Sequence, residues 1–172
     1  ITHAVNVHER CGTELEFLKT PQWYIRVLDM KEELLAAGNK IAWHPEHMKV
    51  RYTHWVENLG WDWCISRQRF FGVPFPVWFD SRNGNVILAD IDQLPVDPLF
   101  DKPKSVPQAD WQYLTPEQDV MDTWATSSCT PQIALGWHEN PGEFLKLMPM
   151  TIRTQAHEIN RTWAFYTIVK SL

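Results

Sequence analysis

The chain has 172 residues and a formal net charge of −5, with ten Trp, 12 Pro and three Cys. This length suits one domain, or one domain with a small appendage, and the acidic balance excludes a general basic field for nucleic acid. No apolar run reaches the roughly 18 residues of a membrane span, and the scattered Cys do not form a disulfide framework. We therefore expect no membrane association and a reducing, cytoplasmic location.

The two ends of the sequence indicate a piece of a longer protein. The chain starts without Met and ends inside an apolar helical pattern that runs from Trp163 to Leu172. The first ten residues also lack the basic and then apolar order of a signal peptide.

The N-terminal third predicts a ribbon followed by two helices. Loose alternation over residues 4–18 with a Cys-Gly turn favours a short β-ribbon. Pro21 stands where a helix can begin, and apolar residues then recur near helical spacing up to a stop at Gly38-Asn39. Pro45 opens a second predicted helix, which Gly60 ends.

The rest of the chain predicts strands, an insertion and a last helix. Cys64 to Ser66 is apolar and bounded by polar residues, which indicates a buried strand, and residues 77–88 predict a hairpin. A segment rich in Pro and Asp predicts a surface insertion at about 80–116. Residues 126–137 predict a helix and residues 150–155 a strand. The pattern of residues 157–171 predicts a helix with five inward positions: Ile159, Trp163, Tyr166, Ile168 and Val169. This order of elements suggests α/β layering.

One pair of residues has metal-ligand spacing. His8 and Cys11 are separated by two residues, as in half of a zinc knuckle. The pair is either an exposed turn or a half-site completed by other ligands. His157 and Glu158 begin a string similar to the metalloprotease helix, but Arg161 replaces its second His, so that chemistry is excluded.

Other reactive side chains admit structural and functional interpretations. The nucleophile candidates have no base nearby in the sequence; they are Ser66, Ser127, Ser128 and Cys129. Asp119 and Asp122 suit acid–base chemistry or, equally, caps and loop hydrogen bonds. Trp124, Ile159 and Trp163 either pack in a core or line a small apolar slot, since Ile159 and Trp163 share a helix face.

Several strings, in order, carry a resemblance to a known family. They are Asn58–Arg69, Gly72-x-Pro74-x-Pro76-Val77-Trp78, Asp119–Trp124, Pro131–Trp137 and Arg161–Thr167. The first two resemble class I aminoacyl-tRNA synthetases for branched aliphatic amino acids. The others are similar to valyl-tRNA synthetases, in their archaeal-type branch. The match spans nearly the whole chain.

The resemblance implies a fold and a reaction. Residues 1–20 would form a β-ribbon stem from the editing insert. Residues 21–172 would form the C-terminal half of the catalytic domain, which is half of a Rossmann-like parallel sheet with flanking helices. The parent protein, implied to be a monomer, would activate valine with ATP and Mg²⁺ and transfer it to tRNA(Val). Such chemistry relies on positioning and charge stabilisation.

The resemblance also assigns site residues. Trp124, Ile159 and Trp163 fall on positions that wall the valine side chain, which favours the slot over core packing. Gln155, Ala156 and Glu158 fall on the stretch that approaches the adenosine ribose. Here the sequence departs from the family, because Ala156 replaces Gly and Glu158 replaces the commoner Asp. The added methyl would hinder close approach of the nucleotide.

Two further expectations concern metal and activity. Residues 79–118 contain no Cys, so no zinc is expected there, and His8 replaces the first Cys of a Cys-x-x-Cys pair in the ribbon. The His-Ile-Gly-His and Lys-Met-Ser-Lys-Ser segments of class I enzymes do not occur in this sequence. We therefore expect no catalytic residue within the chain and no valine activation by the chain alone.

Two other functions are weighed against this one. A degenerate synthetase paralogue would use the same surface to bind a ligand or a partner without catalysis, and the two departures at residues 156 and 158 favour it. A carbohydrate-binding or hydrolytic domain with exposed Trp would be all-β, which the helical patterns contradict.

Overall fold

The computed structural model describes residues 4–16 and 19–172 and has a mixed α/β architecture. The strands formed by these residues are β1 (Tyr24–Ile25), β2 (Trp63–Cys64), β3 (Ser66–Arg67), β4 (Val77–Asp80), β5 (Val86–Leu88), β6 (Leu114–Pro116) and β7 (Val120–Met121). The α-helices are α1 (Lys31–Lys40), α2 (Met48–Glu57), α3 (Thr123–Ser127), α4 (Thr130–Ala134), α5 (Pro141–Leu147) and α6 (Phe165–Ser171). A 3-10 turn at His157–Ile159 and a π-helical turn at Asn160–Ala164 lead into α6.

The strands form three small sheets, and every pairing between them is antiparallel. β1 pairs with β2, β3 pairs with β7, and β4 lies between β5 and β6. The expected parallel sheet is therefore not formed by the described residues. The predicted strand at residues 150–155 is also absent, and Ile152 in it is 75% exposed. A strand requires a neighbour to complete its hydrogen bonds, and no described segment pairs with this one.

The main core lies between helices α1, α2 and α6. Its fully buried members come from distant parts of the chain: Val27, Leu34, Tyr52, Val56, Trp63, Ala125, Phe165 and Val169. Trp63 stacks on Tyr166, with ring centroids 3.7 Å apart and planes 13° apart. Such contact adds to the free energy gained by burying the two rings.

Tertiary contacts move the start of the first helix away from Pro21. Residues 24 and 25 pair with β2 instead, and the backbone N–H of Trp23 donates to Ser66 Oγ at 2.9 Å. Asp62 Oδ1 then accepts from the N–H groups of Val27 and Leu28. The helix begins at Lys31, after these bonds, so the predicted start was wrong. The apolar residues before Lys31 belong to a strand and a 3-10 turn instead of a helix.

Two other predicted elements are altered. The single strand predicted at residues 64–66 is two strands, β2 and β3, which pair with different partners. The hairpin at residues 77–88 is confirmed. The segment that follows it adds β6 to the same sheet and packs Val96 and Leu114 on the buried Trp78. It therefore builds a second small core, while the division of the chain into domains stays a prediction.

The end of the chain is helical, as predicted, but its phase differs. Val169 is buried as expected, whereas the other four predicted inward residues are half-buried. Phe165, which the pattern did not select, is only 1% exposed. The π-helical turn explains the difference, because an i→i+5 turn displaces the residues after it relative to a regular helix.

Within residues 4–16, the predicted ribbon has one bridge, between Val7 and Glu14, with Gly12 at a positive φ of 68° in the turn. Residues 17 and 18, at the end of the predicted ribbon, lie outside the described residues. No helix in the described part of the chain is both long enough and apolar enough to cross a membrane.

Candidate functional site

An ion pair with a buried carboxylate lies at the start of helix α3, which carries Trp124. Asp122 is 5% exposed, and its Oδ2 accepts from Arg67 Nη2 at 2.8 Å. Its Oδ1 caps the helix by accepting from the N–H of Trp124 at 3.2 Å. A carboxylate in this position needs such partners, because burying an unpaired charge is costly. Asp119 accepts from Gln68 at 2.7 Å, so both acids make cap and loop hydrogen bonds.

Trp163 makes two contacts, one with helix α3 through its indole N–H and one with Arg153 through the face of its ring. Its indole N–H donates to the carbonyl of Ser127, the last residue of α3, at 2.9 Å. The guanidinium carbon of Arg153 lies 3.9 Å from the centroid of the Trp163 ring. Burial lowers the pKa of Arg153 from its ordinary value. Trp163 is therefore hydrogen-bonded to α3, the helix that contains Trp124.

Ile159 ends the 3-10 turn that precedes Trp163, and all three residues of the predicted valine slot are half-buried. Two cavities in the described part of the molecule, of about 320 Å³ and 190 Å³, are lined by other residues. Convergence of Trp124, Ile159 and Trp163 around one ligand therefore stays a prediction.

The predicted adenylate stretch lies just before and within the 3-10 turn. Gln155 is half-buried, and its Oε1 has no hydrogen-bond partner among the described residues. Ala156 is exposed, with φ −70° and ψ 146°, so its methyl group causes no backbone strain. Glu158 is exposed beside His157, at 3.3 Å between Oε2 and Nδ1, and lines a cavity of about 320 Å³.

The predicted zinc ligands are close together but are only two. His8 Nδ1 and Cys11 Sγ lie 3.4 Å apart, and both residues are exposed. A hydrogen bond from Thr13 is the main cause that lowers the pKa of Cys11. No group of three or more His, Cys, Asp or Glu with ligand geometry occurs within residues 4–16 and 19–172. Zinc takes four ligands, so this pair does not fit the metal on its own.

Sequence reasoning did not select Arg153, and it selected Tyr166 only as an inward position of the last helix. Arg153 directly follows the mostly apolar residues 148–152, and that position was a signal. Tyr166 lines a second cavity of about 190 Å³ together with Asp62 and Trp63. Burial is the main cause that raises the pKa of Tyr166, and the charge of Asp122 adds to it. The stacking on Trp63 could not be read from spacing, because the two residues are distant in the chain.

Comparison with known protein families gives the class to which this domain belongs. Residues 5–172 match the family model described as tRNA synthetases class I (I, L, M and V). The chain belongs to this class I tRNA synthetase family, as the sequence strings predicted.

Individual relatives agree with this assignment. The chain is 50% identical to a protein named valine–tRNA ligase in Rickettsia conorii, over 99% of the chain and 22% of that protein. It is 52% identical to one of the same name in Thermoplasma acidophilum, over 99% of the chain and 21% of that protein. The chain thus spans about a fifth of the length of these relatives.

Proposed function

We propose that this chain is part of a valine–tRNA ligase that activates valine with ATP and transfers it to tRNA(Val). One observation carries the proposal: about half of the residues, over 99% of the chain, are identical to those of proteins with that name. The whole protein would act as a cytoplasmic monomer. Mg²⁺ would accompany the ATP phosphates and neutralise their charge; no metal-ligand group among the described residues is assigned to it.

Trp124, Ile159 and Trp163 would form the wall of the valine pocket. The contacts of Trp163 with Ser127 and Arg153 support this role. A pocket wall excludes isoleucine only if its side chains keep their positions when the larger ligand approaches. One extra methylene changes binding by only about 1–3 kcal/mol, so even a rigid slot discriminates modestly. Threonine is nearly isosteric with valine, which is why editing would be required elsewhere in the protein.

Gln155, Ala156 and Glu158 would approach the adenosine of the adenylate. The buried and unpaired Oε1 of Gln155 supports a role in which a ligand or another segment supplies the donor. Residues 150–155 would form a strand of the Rossmann-like parallel sheet when the neighbouring strand of the longer protein is present. In this arrangement residues 1–20 would be the stem of the editing insert and residues 21–172 the second half of the catalytic domain.

Selectivity in the full-length protein tests the pocket. In Trp163→Ala, the ratio of kcat/KM for valine to that for isoleucine should fall about tenfold or more, because the slot becomes larger. Amino-acid-dependent pyrophosphate exchange measures both values. Trp137→Ala, which removes a ring that is 61% exposed, is the matched control and should keep the wild-type ratio. An unchanged ratio in Trp163→Ala would remove this residue from the pocket wall.

The degenerate paralogue remains a second candidate, because Ala156 and Glu158 depart from the family pattern. Such a protein would bind valine or a partner and support no pyrophosphate exchange. The Ala156→Gly variant separates the two functions. A ligase hindered at this position should gain exchange activity through a lower KM for ATP, whereas a non-catalytic paralogue should stay inactive in both forms.

A further inference from the structure

Arg153 carries a charge that has no anionic partner among the described residues. The side chain is half-buried in the irregular segment before the 3-10 turn, and no ion pair within residues 4–16 and 19–172 includes it. Its Nε and Nη2 atoms are buried without a hydrogen bond to any of these residues. Burying a charge in this way costs free energy, so the charge of Arg153 does not stabilise the fold.

The guanidinium group covers one face of the Trp163 ring. Its carbon lies 3.9 Å from the ring centroid, well within the roughly 6 Å over which a cation is attracted to an aromatic face. The indole N–H of the same ring donates to the carbonyl of Ser127 at 2.9 Å. That N–H lies in the plane of the ring, whereas the cation lies above the plane. The two contacts together therefore restrain both the position and the tilt of the indole.

Arg82 provides a comparison within the same chain. Its guanidinium carbon lies 4.5 Å from the centroid of the Tyr113 ring, and its nitrogens donate to Asp80 at 2.7 Å and to Asp110 at 2.8 Å. The hydrogen bond with Asp80 is the main cause that raises the pKa of Arg82. Arg82 thus has the carboxylate partners that Arg153 lacks among the described residues.

We propose that Arg153 is a positioning residue for valine selectivity, which acts by restraining the orientation of Trp163. This inference rests on the proposed function, because it requires Trp163 in the wall of the valine pocket. A ring that can tilt would make room for the additional methylene of isoleucine, and the cation above the ring opposes that tilt. A local cost without a structural benefit is typical of residues that serve a function.

A double-mutant cycle in the full-length protein tests this role. Arg153→Met removes the charge and keeps a long apolar side chain. We expect the ratio of kcat/KM for valine to that for isoleucine, measured by pyrophosphate exchange, to fall about threefold or more, which corresponds to the loss of a cation–π contact. In a protein that already carries Trp163→Ala, Arg153→Met should lower the ratio no further, because the ring through which it acts is absent.

Two further variants separate positioning from support of the fold. Arg153→Lys keeps a cation near the ring, so its ratio should lie closer to that of the wild type than the ratio of Arg153→Met does. Arg82→Met is the matched control, since it removes the other arginine that lies over an aromatic ring. It should lower the Tm, because it leaves the buried Asp80 without its partner, and it should not change the ratio.

The expected result is a lower ratio in Arg153→Met with an unchanged or higher Tm, because the variant removes an unpaired charge. A lower Tm would mean that Arg153 supports the fold, and an equal fall of the ratio with and without Trp163 would mean that it acts by another route. Either result overturns the inference. So does an unchanged ratio in Arg153→Met beside a lower one in Trp163→Ala, which leaves the proposed pocket intact. Unchanged ratios in both single variants contradict the pocket itself and the inference with it.

Discussion

Tyr52 connects helices α1 and α2 through a single buried hydroxyl. The residue is 1% exposed, and its O–H donates to the carbonyl of Leu34 at 2.8 Å. Burial raises the pKa of Tyr52 above its ordinary value. The charged form of this side chain is therefore disfavoured in the folded state, and the stability of the fold decreases at alkaline pH.

The sign of this dependence follows from proton linkage. The folded protein keeps the Tyr52 proton more tightly than the unfolded chain, in which tyrosine titrates near pH 10. The contribution is complete below about pH 10 and decreases as the pH rises further. In Tyr52→Phe we expect about 0.5–1.5 kcal/mol less stability at pH 7 and a smaller alkaline loss. Urea unfolding between pH 7 and 11 checks this, with the surface variant Tyr24→Phe as control. Parallel profiles for wild type and Tyr52→Phe would contradict it.

Gly38 is required by the ring of Tyr52 rather than by the end of a helix. A Cβ atom at Gly38 would lie 2.2 Å from Tyr52 Cε1 and 2.7 Å from Cδ1. The ring is buried and cannot give way at low cost. Gly38→Ala should therefore destabilise the fold by about 1–3 kcal/mol, although Ala has the higher helix propensity.

Gly142 in helix α5 provides the matched control for this substitution. A Cβ atom there meets nothing within 4 Å. Gly142→Ala should leave the free energy of unfolding unchanged or raise it by up to about 1 kcal/mol. Equal effects of the two substitutions in thermal unfolding would show that the Tyr52 contact does not constrain residue 38.

At the scale of elements, the ion pair between Arg67 and Asp122 links β3 to the start of α3. Asp122→Ala removes both the pair and the helix cap, so we expect a loss of about 2–4 kcal/mol, reduced by the partial exposure of Arg67. Asp122→Asn keeps a cap acceptor and should lose less. Denaturant unfolding measures both variants, and pyrophosphate exchange shows whether Trp124 stays in place.

An exposed pair serves as control for that measurement. Lys104 and Asp92 lie 3.0 Å apart, with side chains 53% and 75% exposed. Asp92→Ala should change stability by no more than about 0.5 kcal/mol, because surface pairs contribute little. A loss as large as that of Asp122→Ala would mean that burial does not set the strength of these pairs.

At the scale of the whole molecule, the described residues form two cores and lack the parallel sheet of the expected catalytic domain. We predict that the 172-residue chain alone supports no valine-dependent pyrophosphate exchange. The physical reason is that its sequence contains neither of the two segments expected to hold the ATP phosphates. The full-length protein is the positive control. Valine-dependent turnover by the isolated chain would contradict this prediction.

The sequence by itself determined the family, the hairpin at residues 77–88 and the helical character of the end of the chain. These features depend on local spacing and contiguous strings, which a single segment contains. It did not determine where α1 begins, because Trp23 and Val27 bond to Ser66 and Asp62 far along the chain. Only the tertiary structure decided the pairing of Arg67 with Asp122 and the hydrogen bond from Asn160 to the carbonyl of Met48. Such contacts depend on which groups from distant parts of the chain are brought together by packing. The spacing of residues along the chain does not contain that information.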